Sequence, residues 1–199
     1  GCGACRCRLL SGEVREFTET GYLLSAAELD QRTILACQSA PRGPVSVQVD
    51  VPKAVPGAVV AQERLTHDIT RIVVQLDHPL AYRAGQFVSV RIDGLSGVSR
   101  SYSFATPQRE DGRVSFFIRH VPGGRFSGLV HETDVVGQRV ALGRPEGEFW
   151  LREGAAPLLF VAGGSGLAPI LAMLEAAADA GVERSAVLLF GARAQRDLY

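Results

Sequence analysis

Four cysteines stand in this chain: Cys2, Cys5 and Cys7 crowd the start, and Cys37 follows within Leu35-Ala-Cys-Gln38. Thiols packed that closely are poor partners for one another in disulfides, because bridged residues need their Cα atoms about 5.5 Å apart in a suitable orientation. Metal or cluster binding is the better use of them, and reduced thiols suit a cytoplasm. A C-x4-C-x2-C run with a distant fourth cysteine is the ligand spacing of plant-type 2Fe–2S sites. Cys2-Gly-Ala-Cys5 fits the second and third ligands and Cys37 the fourth, while the first falls before Gly1. Thiolate sulfur is soft and anionic, which stabilises ferric iron. Cys7 reads as a bystander. Buried free thiols and a zinc site are the alternatives.

A second group is Arg100-Ser-Tyr-Ser103, followed by His120-Val-Pro-Gly-Gly-Arg-Phe-Ser-Gly128 and a helical pattern from about Phe126 to Glu132. A glycine turn opening a helix offers unpaired N–H groups and the positive end of a dipole to a diphosphate. Arg100 can neutralise the same charge and Tyr102 can stack on an aromatic ring system. Taken alone, Gly123-Gly124 reads first as a hairpin turn. The third group, Gly163-Gly-Ser-Gly-Leu-Ala-Pro169, directly follows an apolar strand and opens a helix, which is the setting of a phosphate-cradling loop. It departs from G-x-G-x-x-G at Pro169, and no acidic ribose partner follows the next strand; Arg193 and Arg196 stand there instead. Leu167 excludes the G-x-S-x-G elbow of serine hydrolases. A plain strand–helix turn is the alternative. The four histidines, His67, His78, His120 and His131, have no metal-ligand spacing.

These groups need elements to hold them. Residues 1–51 form a first unit, with a strand leaving a turn at Leu9–Val14, a short helical turn at Ala26–Leu29 and an alternating strand at Val45–Val51. Two prolines make 52–56 a linker. From 57 to 153 the runs Val59–Leu65, Ile69–Leu76, Gln86–Ile92, Ser101–Ala105, Val114–His120 and Arg139–Leu142 are short and rich in β-branched residues, as in a small barrel. From 154 to 199 the rhythm becomes β-α-β: Pro157–Ala162, Leu167–Ala180 and Ser185–Phe190. That is a parallel crossover unit, and one such unit is too small to bury both faces of a sheet. Lys+Arg and Asp+Glu both number 21. With no net charge and no basic tail, nothing points to nucleic acid or an anionic membrane surface, and no apolar run approaches the ~20 residues of a membrane span.

Taken together, Cys-Gly-x-Cys-x-Cys-Arg-Leu-Leu-Ser-Gly, Leu-Ala-Cys-Gln, Tyr82-Arg-Ala-Gly-Gln-Phe87, Arg-x-Tyr-Ser, Gly-Gly-x-x-Ser-Gly and Gly-Gly-Ser-Gly-x-x-Pro, in that order, resemble the ferredoxin–NADP reductase superfamily. The likeness is to the form fused to a plant-type ferredoxin domain, found as the reductase component of bacterial multicomponent oxygenases acting on aromatic rings, phenols or alkenes. It implies a multidomain α+β and α/β fold: a partial β-grasp 2Fe–2S domain (1–51), a six-stranded antiparallel β-barrel for FAD (57–153) and a truncated parallel α/β NAD(P) domain (154–199). It also implies roles. Arg100 binds the flavin diphosphate, Tyr102 stacks on the isoalloxazine and Ser103 hydrogen-bonds near N5. Gly124 and Ser127 hold the diphosphate. Gly163, Gly164, Gly166 and Pro169 shape the nicotinamide-nucleotide loop, with Arg193 near the nucleotide. Cys2, Cys5 and Cys37 hold the cluster.

The implied activity is hydride transfer from NADH, less readily NADPH, to FAD, then single-electron transfer to a 2Fe–2S cluster and on to an oxygenase component or its ferredoxin. No acid–base residue is required. A cytoplasmic monomer without nucleic-acid or membrane partners is expected, and the absent first ligand and second half of the nucleotide domain lead to the expectation of a longer parent protein. A reductase for a deoxysugar dehydratase shares the architecture, and a non-catalytic electron-carrier module is the reading from another class.

Overall fold

The computed structural model describes residues 5–21, 23–49 and 54–199. The chain divides into two compact units, Gly1–Pro52 and Lys53–Tyr199.

In the first unit, β1 (Arg6–Ser11) is followed by β2 (Val14–Glu16), α1 (Ala26–Asp30), β3 (Thr33–Leu35), β4 (Ser39–Pro41) and β5 (Ser46–Gln48). β1 lies between β3 and β5, antiparallel to both, and β2 pairs with β4. Alternation along β1 turns Cys7 and Leu9 inward onto Ile34 and Val14, a small core. α1 starts in a capping box: the Ser25 hydroxyl accepts from Glu28 N–H, and the Glu28 carboxylate accepts from Ser25 N–H at 2.8 Å. Of the strand expected over Val45–Val51, only Ser46–Gln48 is paired among the described residues.

The second unit opens with six strands, β6 (Val55–Arg64), β7 (Ile69–Leu76), β8 (Phe87–Ile92), β9 (Arg100–Ser103), β10 (Arg113–Arg119) and β11 (Arg139–Glu146), with α2 (Arg125–Glu132) between the last two. All pairs are antiparallel, in the order β10-β7-β6-β11-β8-β9. A bridge between Phe104 and Phe116, with Ala105 N–H donating to Ser115 C=O at 2.8 Å, brings the two ends together. The sheet thus closes as a barrel and leaves few free edges. Inward positions of β7, β8 and β10 supply Ile72, Val74, Val88, Val90 and Phe116, and α2 covers one end with Phe126 and Val130 in the same core.

β6 begins at Val55, so Val55 and Pro56, expected within a linker, pair with Leu142 and Ala141 of β11. A proline at the start of a strand costs little, because the ladder bond it cannot donate lies at the margin. β11 runs past Leu142 to Glu146, because a register shift between Leu142 and Pro145 places Pro145 at an irregularity and pairing with β8 resumes at Val88.

The remaining elements are β12 (Leu158–Gly163), α3 (Leu167–Asp179) and β13 (Ala186–Gly191), the two strands being parallel. α3 buries Ile170 and Met173 against Phe160. On the opposite side of this two-stranded sheet, Leu159, Val161, Val187 and Leu189 are exposed. A 3.0 Å ion pair from Arg109 in the barrel to Glu175 in α3 ties the two parts of this unit together.

Candidate functional site

Cys5 sits in a turn just before β1, and Cys37 in a single helical turn, Ala36–Gln38, after β3. The bond from Ala36 N–H to Cys5 C=O at 3.0 Å holds the two loops together and sets the sulfurs 3.1 Å apart. The Cys37 backbone N–H helps hold the Cys5 thiol below its ordinary pKa, against the opposing effect of burial. Cys7 lies only two residues from Cys5 yet points into the core, since Cys5 precedes the strand; burial pushes the Cys7 thiol up. Two convergent accessible sulfurs, one with a lowered pKa, form a donor set suited to a thiolate-held iron cluster. Cys2 lies outside the described residues.

In the second unit, pairing of Val88 with Tyr102 and Val90 with Arg100 fixes β9 at the barrel margin. Arg100 is exposed, and its guanidinium donates to the Ser99 carbonyl at 2.7 Å. Tyr102 is half-buried and packs on Phe126 of α2, ring centroids 5.3 Å apart. Burial pushes its hydroxyl up to about 12, with the charge of Arg100 acting the other way. Ser103 pairs with Phe87 at the end of β9.

The contact between Tyr102 and Phe126 joins two groups the sequence leaves separate, because Phe126 is the second residue of α2 and Gly124 is its N-cap. Gly124 has no side chain to cap the helix, so the first N–H groups of α2 remain available to an anion. A Cβ at Gly124 would lie 2.6 Å from Ser127 Oγ and 2.9 Å from the Val121 carbonyl oxygen. The Ser127 hydroxyl accepts from Val121 N–H at 3.1 Å and so braces the turn from inside. Gly123-Gly124 is therefore a tight turn and a helix start at once. These are the features a flavin diphosphate needs, and the residues present fit FAD.

The glycine-rich loop leaves β12 at Gly163. Gly164 adopts φ +51°, a conformation costly for residues with a Cβ, and a short turn through Gly166 leads into α3. A Cβ at Gly166 would meet nothing within 4 Å, and at Gly164 only Arg119 Nη1 at 3.8 Å, so the loop presents bare backbone. Pro169 is the third residue of α3, buried, where its missing N–H leaves no helical bond unmade. A cavity of about 390 Å³ brings Gly163 and Gly164 together with Arg193, Arg119, Asp68 and Asp197; Gly166, Pro169 and Arg196 do not line it.

Nothing in the sequence pattern singles out Arg119 and Asp68. They lie 51 positions apart at the ends of β10 and β7, and pair at 2.8 Å. Burial raises the Asp68 carboxyl, but hydrogen bonds from Arg119 and Thr66 outweigh it and hold the group below its usual range. Tyr199 donates to Gly164 C=O at 2.8 Å and stands edge-on to Phe117 and Phe190. Bare glycine backbone ahead of α3 suits a dinucleotide, with Arg119 and Arg193 on the wall beside their partners Asp68 and Asp197.

A barrel with an anion site at a helix start, followed by a strand–glycine loop–helix, is the arrangement of a two-part flavin- and dinucleotide-binding unit. Family models agree: an oxidoreductase FAD-binding domain matches residues 56–150, an oxidoreductase NAD-binding domain 160–199, and a 2Fe-2S iron-sulfur cluster binding domain 1–42. Relatives are reductase components of oxygenase systems. The xylene/toluene monooxygenase electron transfer component of Pseudomonas putida is 40% identical over all of this chain and 58% of its own length. The reductase component of the naphthalene 1,2-dioxygenase system of Pseudomonas putida is 36% identical over 100% of this chain and 62% of its own length.

The crystal structure of a cytochrome P450 reductase from Amycolatopsis aligns with TM-score 0.73 at 32% identity, covering 100% of this chain and 63% of that one. The ferredoxin reductase of carbazole 1,9a-dioxygenase aligns with TM-score 0.72 at 31% identity, covering 100% and 65%. The three domain matches and these relatives fit the ferredoxin–NADP reductase superfamily, in its branch with a plant-type 2Fe–2S domain. The chain spans 58% to 62% of the first curated relatives it matches. Among the described residues no helix is long and apolar enough to cross a membrane.

Proposed function

We propose that this chain carries the electron-transfer machinery of an oxygenase reductase, moving electrons from NADH through FAD to a 2Fe–2S cluster and on to an oxygenase component or its ferredoxin. The observation that carries the reading is the Tyr102–Phe126 contact, which sets the Arg100-Ser-Tyr-Ser103 strand against the open start of α2 in the same compact unit as the glycine loop.

Bound flavin accepts a hydride as two electrons and gives electrons up singly, chemistry that no side chain supplies. The protein's part is placement. Arg100 and the N–H groups behind Gly124 and Ser127 hold the diphosphate, Tyr102 offers its ring as one wall for the isoalloxazine, and Ser103 hydrogen-bonds to the ring edge. Gly163, Gly164, Gly166 and Pro169 shape the loop that takes the nicotinamide nucleotide, with Arg193 on the cavity wall. Cys2, Cys5 and Cys37 supply thiolates to the cluster. NADH is the favoured donor. Reduced thiols of this kind suit the cytoplasm, where we place the protein.

Two acceptors separate the steps in the full-length protein. With NADH as donor, ferricyanide takes electrons at the flavin, and cytochrome c takes them after the cluster. Cys37→Ser is expected to abolish cytochrome c reduction while leaving ferricyanide reduction in place. Equal loss of both, or of neither, would sink this division of labour.

A further inference from the structure

Away from the residues assigned above, an open cleft of about 560 Å³ runs along the seam between the barrel and α3. Its volume lies within the range of small-molecule sites. Three segments form it: the barrel loop at Arg83 and Ala84, the connector Trp150–Glu153, and the flank of α3 from Met173 toward its end. The floor is small and apolar, with Ala84, Leu151, Met173 and Ala177.

Two guanidinium groups stand over the ring of Trp150, Arg83 Cζ at 4.8 Å and Arg152 Cζ at 4.3 Å from its centroid. Arg152 also donates to the Glu148 carbonyl at 2.8 Å and lies 3.7 Å from the Glu148 carboxylate, an exposed and therefore weak pair. Arg83 makes no ion pair among the described residues. Arg83, over the indole and with no side-chain hydrogen bond among the described residues, keeps its N–H edge free, and that planar edge matches a carboxylate in a two-point contact.

The lining charges decide the ligand class. Arg83, Arg152 and Glu153 line the cleft and Glu148 pairs with Arg152 beside it, so Arg83 is the guanidinium that an anion meets without an ion-pair partner among the described residues. A phosphate is disfavoured, since no glycine and no helix start lines the cleft. The last carbonyls of α3 are taken by the N–H groups of Ala180, Gly181 and Val182, so the helix end adds little opposing potential. An alanine floor beside an indole takes a flat apolar body.

We propose that this cleft binds a small aromatic carboxylate, its ring on the apolar floor and its carboxylate on Arg83. Such a ligand would touch all three segments that meet at the seam. The seam is close-packed beside the cleft, where a Cβ at Gly85 would lie 1.8 Å from the Phe149 carbonyl oxygen and 3.2 Å from Met173 Sδ.

Trp150 is the single tryptophan of the chain, so its emission reports the cleft directly. Benzoate is titrated against the chain at constant ionic strength, with Trp150 emission as one readout and saturation transfer to the benzoate ring protons as a second. Benzyl alcohol supplies the ring without the charge, and acetate the charge without the ring. The expected result is saturable benzoate binding, with both comparators at least about tenfold weaker. Arg83→Gln should weaken benzoate by about tenfold and leave the melting temperature unchanged, because that side chain is exposed and makes no ion pair among the described residues. Benzoate without a saturable response in either readout, benzyl alcohol binding equally well, or Arg83→Gln with wild-type affinity would each overturn the proposal.

Discussion

Replacing Gly124 by alanine tests the flavin site at its tightest point. Gly124 has φ −75° and ψ 114°, which alanine adopts without strain, so the backbone conformation itself is not penalised. The cost is steric. The new Cβ falls 2.6 Å from Ser127 Oγ and 2.9 Å from the Val121 oxygen, against an ordinary contact of 3.4 Å, leaving shortfalls of 0.8 and 0.5 Å. Ser127 cannot swing away freely, because it accepts from Val121 N–H at 3.1 Å; Val121 C=O cannot either, because it accepts from Gly124 N–H at 2.8 Å.

Either a hydrogen bond breaks, at about 1 kcal/mol, or the helix start moves by about half an ångström, at about 1–3 kcal/mol of strain. The N–H groups that hold the diphosphate move with it. At 1.4 kcal/mol per tenfold, FAD affinity should fall by about 5- to 100-fold. Reconstitution of apoprotein with FAD, followed by quenching of flavin fluorescence, measures it, and a thermal melt measures the strain. Gly124→Ala/Ser127→Ala removes the worse clash and should recover part of the stability but not the affinity, since the Val121 contact persists. Wild-type FAD affinity and melting temperature in Gly124→Ala would refute the reasoning.

Other expectations follow from the same geometry. Arg100→Gln should weaken FAD by about tenfold to a hundredfold, as loss of a charge-assisted bond to phosphate predicts, with no change in melting temperature; a flavin titration beside a melt separates the two. Asp68→Asn tests the pair with Arg119. The carboxyl is held low in the folded protein, so its contribution is present above the unfolded value near 3.9 and is lost as pH falls through the folded one. The variant should melt lower at neutral pH, and the gap should close in acid.

His131 is held below its ordinary pKa by burial first and by Arg64 next, and a guanidinium N–H can only donate to its Nε2, at 2.8 Å, so the ring is neutral. Its contribution is present above the unfolded value near 6.5 and fades as pH drops toward the folded one. His131→Gln should flatten the melting profile over that window, and an unchanged profile would assign the slope elsewhere.

The barrel was readable because its strands carry the signal physics demands. Ile69–Leu76 alternates β-branched residues toward one core, and its bounds come out as expected. Where prolines interrupt, the local pattern misleads: Val55-Pro56 has the composition of a linker, and Gly143-Arg-Pro145 lacks the alternation of a strand. Pairing with neighbours decided both, and pairing is a property of the sheet rather than of the segment. Among the candidate site residues, glycines and the Arg-x-Tyr-Ser strand stood out because their types and order are restrictive. The Arg119–Asp68 pair and the clasp of Arg83 and Arg152 on Trp150 did not, since each joins common residues that only the fold brings together.

The proposed function requires electrons to pass from a nicotinamide donor through flavin to iron–sulfur. Anaerobic addition of NADH to the full-length, flavin-loaded protein tests it in a single absorbance spectrum. Loss of the visible flavin bands together with the broader iron–sulfur absorbance is the predicted result. A protein that binds flavin but keeps its spectrum unchanged under excess NADH, or one whose flavin bleaches while the iron–sulfur absorbance stays oxidised, would contradict it.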